Sequence, residues 1–278
     1  MLYPKSNSCR DLYNLNGIWN YKIVEEDYLP INKAENTSPM AVPASYNEIT
    51  TDKKTRDHVG KILFEKEFSI PVRNDLIYRL RIGATSHKCD VYLNGVLIGR
   101  GINGYYPIDL PLDGLQAENR LSVVIDNRLT DESLPVGEMI NGNQITNHDF
   151  YNFTGIHRDV LIYSLPKKHI EDIYVRPSLT EDYTTGELKL ELLSPSLTYD
   201  YRLLSPSGDE VASGRAVGNT QISVPSPLLW SDEIPNLYLL LIHCGSEYIA
   251  LPVGFKEVKI VDGVVLINGK KVKAKGIN

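Results

Sequence analysis

Carboxylates recur in this 278-residue chain as neighbours: Glu25-Glu26-Asp27, Asp131-Glu132, Glu171-Asp172, Glu181-Asp182 and Asp232-Glu233. Paired carboxyl groups are the equipment of glycoside hydrolysis, but in a retaining enzyme they must face one bond from ~5–5.5 Å apart. Adjacent residues on a strand or turn point away from each other, and doublets in polar sequence read as solvated surface charge. None is assigned a catalytic role. His148 and His157 carry the side chain of a general base, yet neither stands near a plausible nucleophile in the sequence. Trp19, Tyr105, Tyr106 and Trp230 have rings on which a sugar could stack; Trp19 and Trp230 sit in strand-like patterns and read as core, which leaves Tyr105-Tyr106-Pro107 beside Gly104 as the candidate. Asp149 lies in an aromatic-flanked loop, where an aspartate readily caps its own turn by accepting from nearby backbone N–H groups. Asn103-Gly104 and Gly99-Arg100-Gly101 are turn chemistry, too short for a phosphate loop. Cys9, Cys89 and Cys244 are far apart and odd in number, no Cys/His spacing matches a zinc site, and no metal or cofactor is expected.

The elements that must position these residues are strands. Period-2 alternation rich in Val, Ile, Leu and Tyr is broken about every ten residues by Gly, Pro, Asn and Asp, which predicts an all-β chain with almost no helix. Strands are predicted at Gly17–Val24, Ile62–Ile70, Leu76–Ile82, Cys89–Leu93, Arg120–Asp126 and Asp159–Ser164. Asn94-Gly95 between apolar arms predicts a type I′ hairpin, because both central residues of that turn need positive φ. After a pause near Leu165-Pro166-Lys167 a second series begins at Ile170–Arg176 and runs through Glu187–Leu193, Asp200–Ser205, Gln221–Val224, Leu237–Cys244 and Tyr248–Leu251, a set that fits a two-sheet sandwich of ~100 residues. Between the predicted strands, Thr130–Asn147 is expected as a long irregular loop, a kind that is usually functional or disordered. The last residues hold another Asn-Gly hairpin at Asn268-Gly269, whose second arm reads as a strand cut at the entrance to a further domain.

A formal net charge of −6, with Lys and Arg scattered, gives no attraction to phosphate backbones or anionic lipids, so nucleic-acid and membrane partners are not expected. The opening residues lack the apolar run of a secretory signal and no stretch approaches a membrane span, from which a cytoplasmic location is expected.

Several motifs in one order carry a resemblance. Asp149-Phe150-Tyr151-Asn152-Phe153-Thr154-Gly155-Ile156-His157-Arg158-Asp159-Val160 resembles the signature of glycoside hydrolase family 2, an aromatic-rich loop leading to Gly-Ile-(His/Phe)-Arg and a closing strand. Val42-Pro43-Ala44-Ser45-Tyr46-Asn47, Val91-Tyr92-Leu93-Asn94-Gly95, Gly104-Tyr105-Tyr106-Pro107 and Asn119-Arg120-Leu121 resemble that family's N-terminal jelly roll. Leu229-Trp230-Ser231 with Pro235-Asn236-Leu237-Tyr238 resembles the end of its immunoglobulin-like domain, and Leu266-Ile267-Asn268-Gly269-Lys270 its link to a catalytic barrel. Within the family, His148-Asp149-Phe150-Tyr151-Asn152-Phe153 and Leu134-Pro135-Val136-Gly137 are closer to the β-glucuronidase branch than to β-galactosidases, which usually carry Asp-Met-Trp-Arg before Gly-Ile.

The resemblance implies a galactose-binding-like jelly-roll β-sandwich over residues 1–165, a seven-stranded immunoglobulin-like β-sandwich over 166–260, and over 261–278 the start of a truncated (β/α)8 barrel. The parent would hydrolyse terminal β-D-glucuronides, with a β-galactosidase as the alternative and, from another class, a free-standing carbohydrate-binding sandwich protein. It would work without a cofactor as a homo-oligomer, its two catalytic glutamates lying beyond Asn278. The family's matching aspartate reaches a sugar hydroxyl, so Asp149 is expected either to bind substrate in the complete enzyme or to cap its loop. The resemblance assigns His148 and His157 to packing, Asn152 to holding the turn, and Arg158 to pairing with an acid beneath the loop.

Overall fold

The computed structural model describes residues 2–276 except 103, 142, 147, 148, 150 and 195. The chain divides into two compact units, one built from Pro4–Ser6 with Arg10–Lys167 and the other from Lys168 onward with short N-terminal pieces. Among the described residues helix is confined to two single turns, Tyr46–Ile49 and Lys53–Arg56.

The first unit is a sandwich of antiparallel sheets. Six strands run in the order Ser38–Val42, Gly17–Ile23, Lys61–Phe68, Asn119–Asp126, Lys88–Leu93, Val96–Gly101; four face them in the order Leu12–Asn14, Val160–Pro166, Leu76–Ile82, Ile108–Pro111. Alternation aims Phe64, Val91, Val123 and Ile125 from one sheet at Leu80, Ile82 and Ile162 from the other, all buried in one core with Trp19. Trp19 is 1% exposed and donates its Nε1–H to the Leu15 carbonyl at 2.8 Å, so it is core as its strand pattern predicts. The Asn94-Gly95 turn has φ of 52° and 83°, as a type I′ turn requires.

Alternation fails at Ile62-Leu63-Phe64, which is apolar throughout because both faces of the strand are covered. Leu63, Tyr92 and Val124 form a second cluster on the outer face, roofed by Val24, Tyr28 and Ala34. Glu65 pins that roof: its buried carboxylate accepts from the Ala34 N–H at 3.1 Å and the Ser122 hydroxyl at 2.9 Å. Arg120 donates to the Pro30 and Ile31 carbonyls at 3.2 and 2.7 Å. A buried carboxylate is tolerated only with partners of this kind.

The second unit packs the three strands Ile173–Leu179, Thr185–Leu192 and Thr220–Pro225 against four, Glu210–Val217, Thr198–Leu204, Tyr238–Cys244 and Glu247–Val253. Leu188, Leu190, Ile222 and Val224 meet Tyr199, Leu203, Leu240 and Ile242 between them, with Phe255 closing the core. A further small sheet, Val258–Val261, Val264–Ile267 and Lys270–Lys271, turns at Asn268-Gly269 with φ of 48° and 73°. Asn268 ties it down, accepting from the Glu257 N–H and donating to the Trp230 carbonyl, each at 2.9 Å.

Three expectations need correction. Thr130–Asn147 is not an irregular loop throughout, since Gly137–Ile140 and Asn143–Thr146 pair as a hairpin; the Asn141-Gly142 pair is the turn signal that betrays it, although Gly142 lies outside the described residues. The strand Glu210–Val217 escapes the pattern because it is largely exposed and lacks an alternating apolar set. Trp230 is half-buried instead of core, with the Lys256 ammonium 4.0 Å from its ring centre, because it lies in an irregular segment held by isolated bridges, Leu229 to Phe255 and Trp230 to Pro235, and not in a sheet strand.

Candidate functional site

The segment from Asp149 to Arg158 leaves the two main sheets and is held through Asn152, Thr154, Gly155 and Ile156. On one side Gly155–Ile156 pairs with Thr85–Ser86. On the other, the Ala44 N–H donates to the Ile156 carbonyl at 2.9 Å and the Tyr46 N–H to Thr154 at 3.3 Å. Side chains complete the stitching: the Ser45 hydroxyl accepts from the Thr154 N–H at 2.9 Å, and the Asn47 amide donates to the Asn152 carbonyl at 3.0 Å. Gly155 is required twice over, by a φ of +86° and because a Cβ there would stand 3.0 Å from Tyr46 Cδ1 and 3.2 Å from Phe64 Cζ. Tyr46 is itself fixed from below. The Asn127 amide donates to its hydroxyl at 2.6 Å and to the His58 carbonyl at 2.7 Å, while Asn127 Oδ1 accepts from the Gly60 N–H at 2.8 Å. Burial pushes the Tyr46 hydroxyl far above the ordinary tyrosine pKa, so it stays a neutral structural group.

Above this base the aromatic residues form a row. Tyr151 meets Phe153 edge-on at 5.3 Å between ring centres, Phe153 stacks on His157 at 5.7 Å and 24°, and His157 meets Tyr105 at 5.6 Å and 61°. Gly104 lets this corner close, since a Cβ there would lie 2.9 Å from His87 Nδ1 and 3.1 Å from Ser86 Oγ. His157 Nδ1 stands 3.3 Å from the Ser86 hydroxyl. Its Nε2 is buried with no partner among the described residues. Burial, aided by the Arg158 charge, holds the His157 pKa below the ordinary value. The imidazole is packed between the rings of Phe153 and Tyr105.

The sign of the resulting pH effect follows from linkage. With the folded pKa depressed, the unfolded chain binds more protons, so this contribution is fully present above the unfolded pKa of about 6.5 and is lost as pH falls through the lower folded value. His157→Phe is therefore expected to keep the stack and to lessen the loss of stability on the acid side. Thermal midpoints of both chains between pH 8 and pH 5 check this; parallel declines would show that His157 does not titrate in this way.

The remaining candidates separate cleanly. Asp149 is exposed and makes no hydrogen bond or ion pair among the described residues, so no cap is seen for it. His148 lies outside the described residues. Asn152 contributes its carbonyl to the turn, whereas its side-chain Oδ1 is buried and has no partner among the described residues; the side-chain bond expected of it is supplied by Asn47 instead. Arg158 is exposed and forms no ion pair among the described residues; its Cβ lies over Gly83, 2.8 Å from where that glycine's Cβ would be. Tyr106 is 64% exposed and stands outside the ring row. The acidic doublets are dispersed: Glu26 bonds Arg128, Glu132 bonds Lys88, and Asp182 holds Thr180 and Thr184 in its own turn. Among the described residues no three His, Cys, Asp or Glu side chains gather as a metal site. Ser45, Asn47 and Asn127 hold the loop without having been singled out, because their partners are 67 or more residues away in the chain.

Comparison with known proteins gives two consecutive family matches. Residues 12–166 match the model described as "Glycosyl hydrolases family 2, sugar binding domain" and residues 168–256 match "Glycosyl hydrolases family 2". Similar curated proteins include a beta-glucuronidase of Felis catus, 30% identical, covering 100% of this chain and 50% of that protein, and one of Paenibacillus borealis, 30% identical, covering 99% and 50%. Among solved structures, a beta-glucuronidase of an uncultured Clostridium sp. superposes with a TM-score of 0.89 at 33% identity, over 98% of this chain and 49% of that one. A beta-glucuronidase of Ruminococcus gnavus in complex with uronic isofagomine gives 0.88 at 27%, over 99% and 49%. The chain spans about half the length of the curated relatives it matches.

Proposed function

The chain belongs to the family 2 glycosyl hydrolases, and from that membership we propose that it is the non-catalytic N-terminal portion of a retaining β-glycosidase that removes terminal β-D-glucuronate, with Asp149 binding the sugar. The observation that carries the role of Asp149 is its exposed carboxylate, without a bond among the described residues, on a loop that is otherwise stitched down on both sides. A capping aspartate would spend its oxygens on neighbouring N–H groups, as Asp182 does on Thr184. An exposed acceptor with no bond among the described residues suits a sugar hydroxyl, because a charged acceptor binds a hydroxyl donor more strongly than a neutral one. The preference for glucuronide over galactoside rests on the relatives, whose printed names are beta-glucuronidases. The free thiols of Cys9, Cys89 and Cys244 support a reducing, cytoplasmic compartment.

The chemistry itself needs a nucleophilic carboxylate and an acid/base carboxyl ~5–5.5 Å apart; the proposal places both in the half of the relatives' length that this chain does not span. In the full-length enzyme, Asp149→Ala is expected to lower kcat/KM for an aryl β-D-glucuronide about ten- to a hundredfold, the worth of one charged hydrogen bond of ~1.5–3 kcal/mol. Its thermal midpoint should not move, since nothing among the described residues depends on that side chain. Unchanged kinetics would end the sugar-contact reading, and higher kcat/KM on the matching galactoside would reassign the specificity.

A further inference from the structure

Tyr151 stands two residues beyond Asp149, a separation of at most about 7 Å along the backbone, which is the scale of one pyranose with its hydroxyl rim. It is the outermost ring of the row and, at 47% exposed, the only one of the four that faces solvent to that extent. Behind it the contacts run inward through Phe153 and His157 to Tyr105, so the ring is braced by a chain of aromatic contacts that ends on the buried Ser86. Tyr106 offers the contrast: more exposed, yet with no ring contact among the described residues to hold it. A tyrosine costs little entropy to immobilise because it has only two side-chain torsions, and the row settles much of that cost before any ligand arrives.

We propose that Tyr151 is a sugar-stacking residue, its ring receiving the C–H face of the pyranose whose hydroxyl is held by Asp149. A pyranose presents a C–H face and a polar rim, and this surface presents, two residues apart, a braced ring and an exposed carboxylate without a bond among the described residues. The inference rests on the sugar-contact reading of Asp149. It adds a residue that selects for a ligand with a flat apolar face, which a carboxylate alone cannot do.

The test is made in the full-length enzyme with Tyr151→Ala, Tyr151→Leu and Tyr151→Phe, alongside Asp149→Ala. Stacking holds substrate and transition state alike, so Tyr151→Ala raises KM for an aryl β-D-glucuronide roughly three- to tenfold with kcat unchanged. Tyr151→Phe stays within about twofold of the parent. Tyr151→Leu behaves as Ala does, because it keeps apolar bulk but has no flat face. A parental KM in the Leu variant, or a lowered thermal midpoint with KM unmoved in the Ala variant, assigns Tyr151 to packing and overturns the proposal. Should the Ala variant fail to fold, the Leu and Phe variants decide. Loss of activity in Asp149→Ala with no effect at Tyr151 defeats this inference alone, and no effect at either position defeats the reading of Asp149 as well.

Discussion

The 278-residue chain alone is expected to hydrolyse neither aryl β-D-glucuronides nor aryl β-D-galactosides above the uncatalysed rate, whereas the full-length enzyme proposed above is expected to show the acceleration of at least ~10⁶-fold usual for enzymes. The reason is the state of its carboxylates. Retaining hydrolysis requires one carboxyl group free to attack the anomeric carbon and a second poised to protonate the leaving oxygen. The buried acids here are committed elsewhere: Glu65 to Ser122 and Ala34, Asp109 to Arg79 and the Tyr163 hydroxyl, Asp172 to the Ile173 N–H, Glu247 to the Ile170 N–H. The surface doublets are dispersed over separate turns, several of them in ion pairs with Arg or Lys. Neither leaving-group protonation nor a glycosyl-enzyme intermediate is then within reach. The assay is direct, and turnover by a preparation shown free of host glycosidase would overturn the expectation. Sugar binding without turnover, abolished by Asp149→Ala, would agree with it.

Gly155→Ala is expected to destabilise the first unit strongly. The backbone there has φ of +86°, where a Cβ costs roughly 1–2 kcal/mol. The added methyl group must also press within 3.0 Å of Tyr46 and 3.2 Å of Phe64, both fully buried, and crowding of a packed core costs about 1–3 kcal/mol. Neither ring can yield easily. Tyr46 is held through Asn127 to His58 and Gly60, and Phe64 lies between the two sheets. A loss of roughly 2–4 kcal/mol corresponds to a fall in thermal midpoint on the order of 5–15 °C for a unit of this size. The second unit has its own core and should unfold near its original temperature, so calorimetry of the variant should separate two transitions. A midpoint within about 2 °C of the parent would show that the loop can shift to absorb the methyl group. The full-length variant should also lose activity, since the same turn carries the segment that begins at Asp149.

Much of the architecture is local in origin and was therefore legible without coordinates. Alternating apolar residues, Asn94-Gly95 and Asn268-Gly269 act over two to eight residues, so strands and hairpins follow from neighbours in the chain. The Asp149–Val160 signature, read as one run, brought out the loop and the aspartate on it. The hairpin of Gly137–Ile140 with Asn143–Thr146 was obscured because its apolar residues, Met139, Ile140 and Ile145, are exposed and give no burial pattern.

By itself the sequence determined the all-β class, the two successive strand series, the family, and which short loop holds the candidate sugar contact. Only the tertiary structure decided what that loop stands on. Ser45 with Asn47, Asn127, and Tyr105 come from three distant parts of the chain and converge because sheet pairing brings their turns to one edge. It also decided that Arg158 makes no ion pair among the described residues, that Trp230 lies half-open under Lys256, and that Tyr151 is the braced and exposed ring. Residue type sets what a side chain can bond, but burial, orientation and partner are properties of the surrounding surfaces, and those exist only once residues far apart in sequence have packed together.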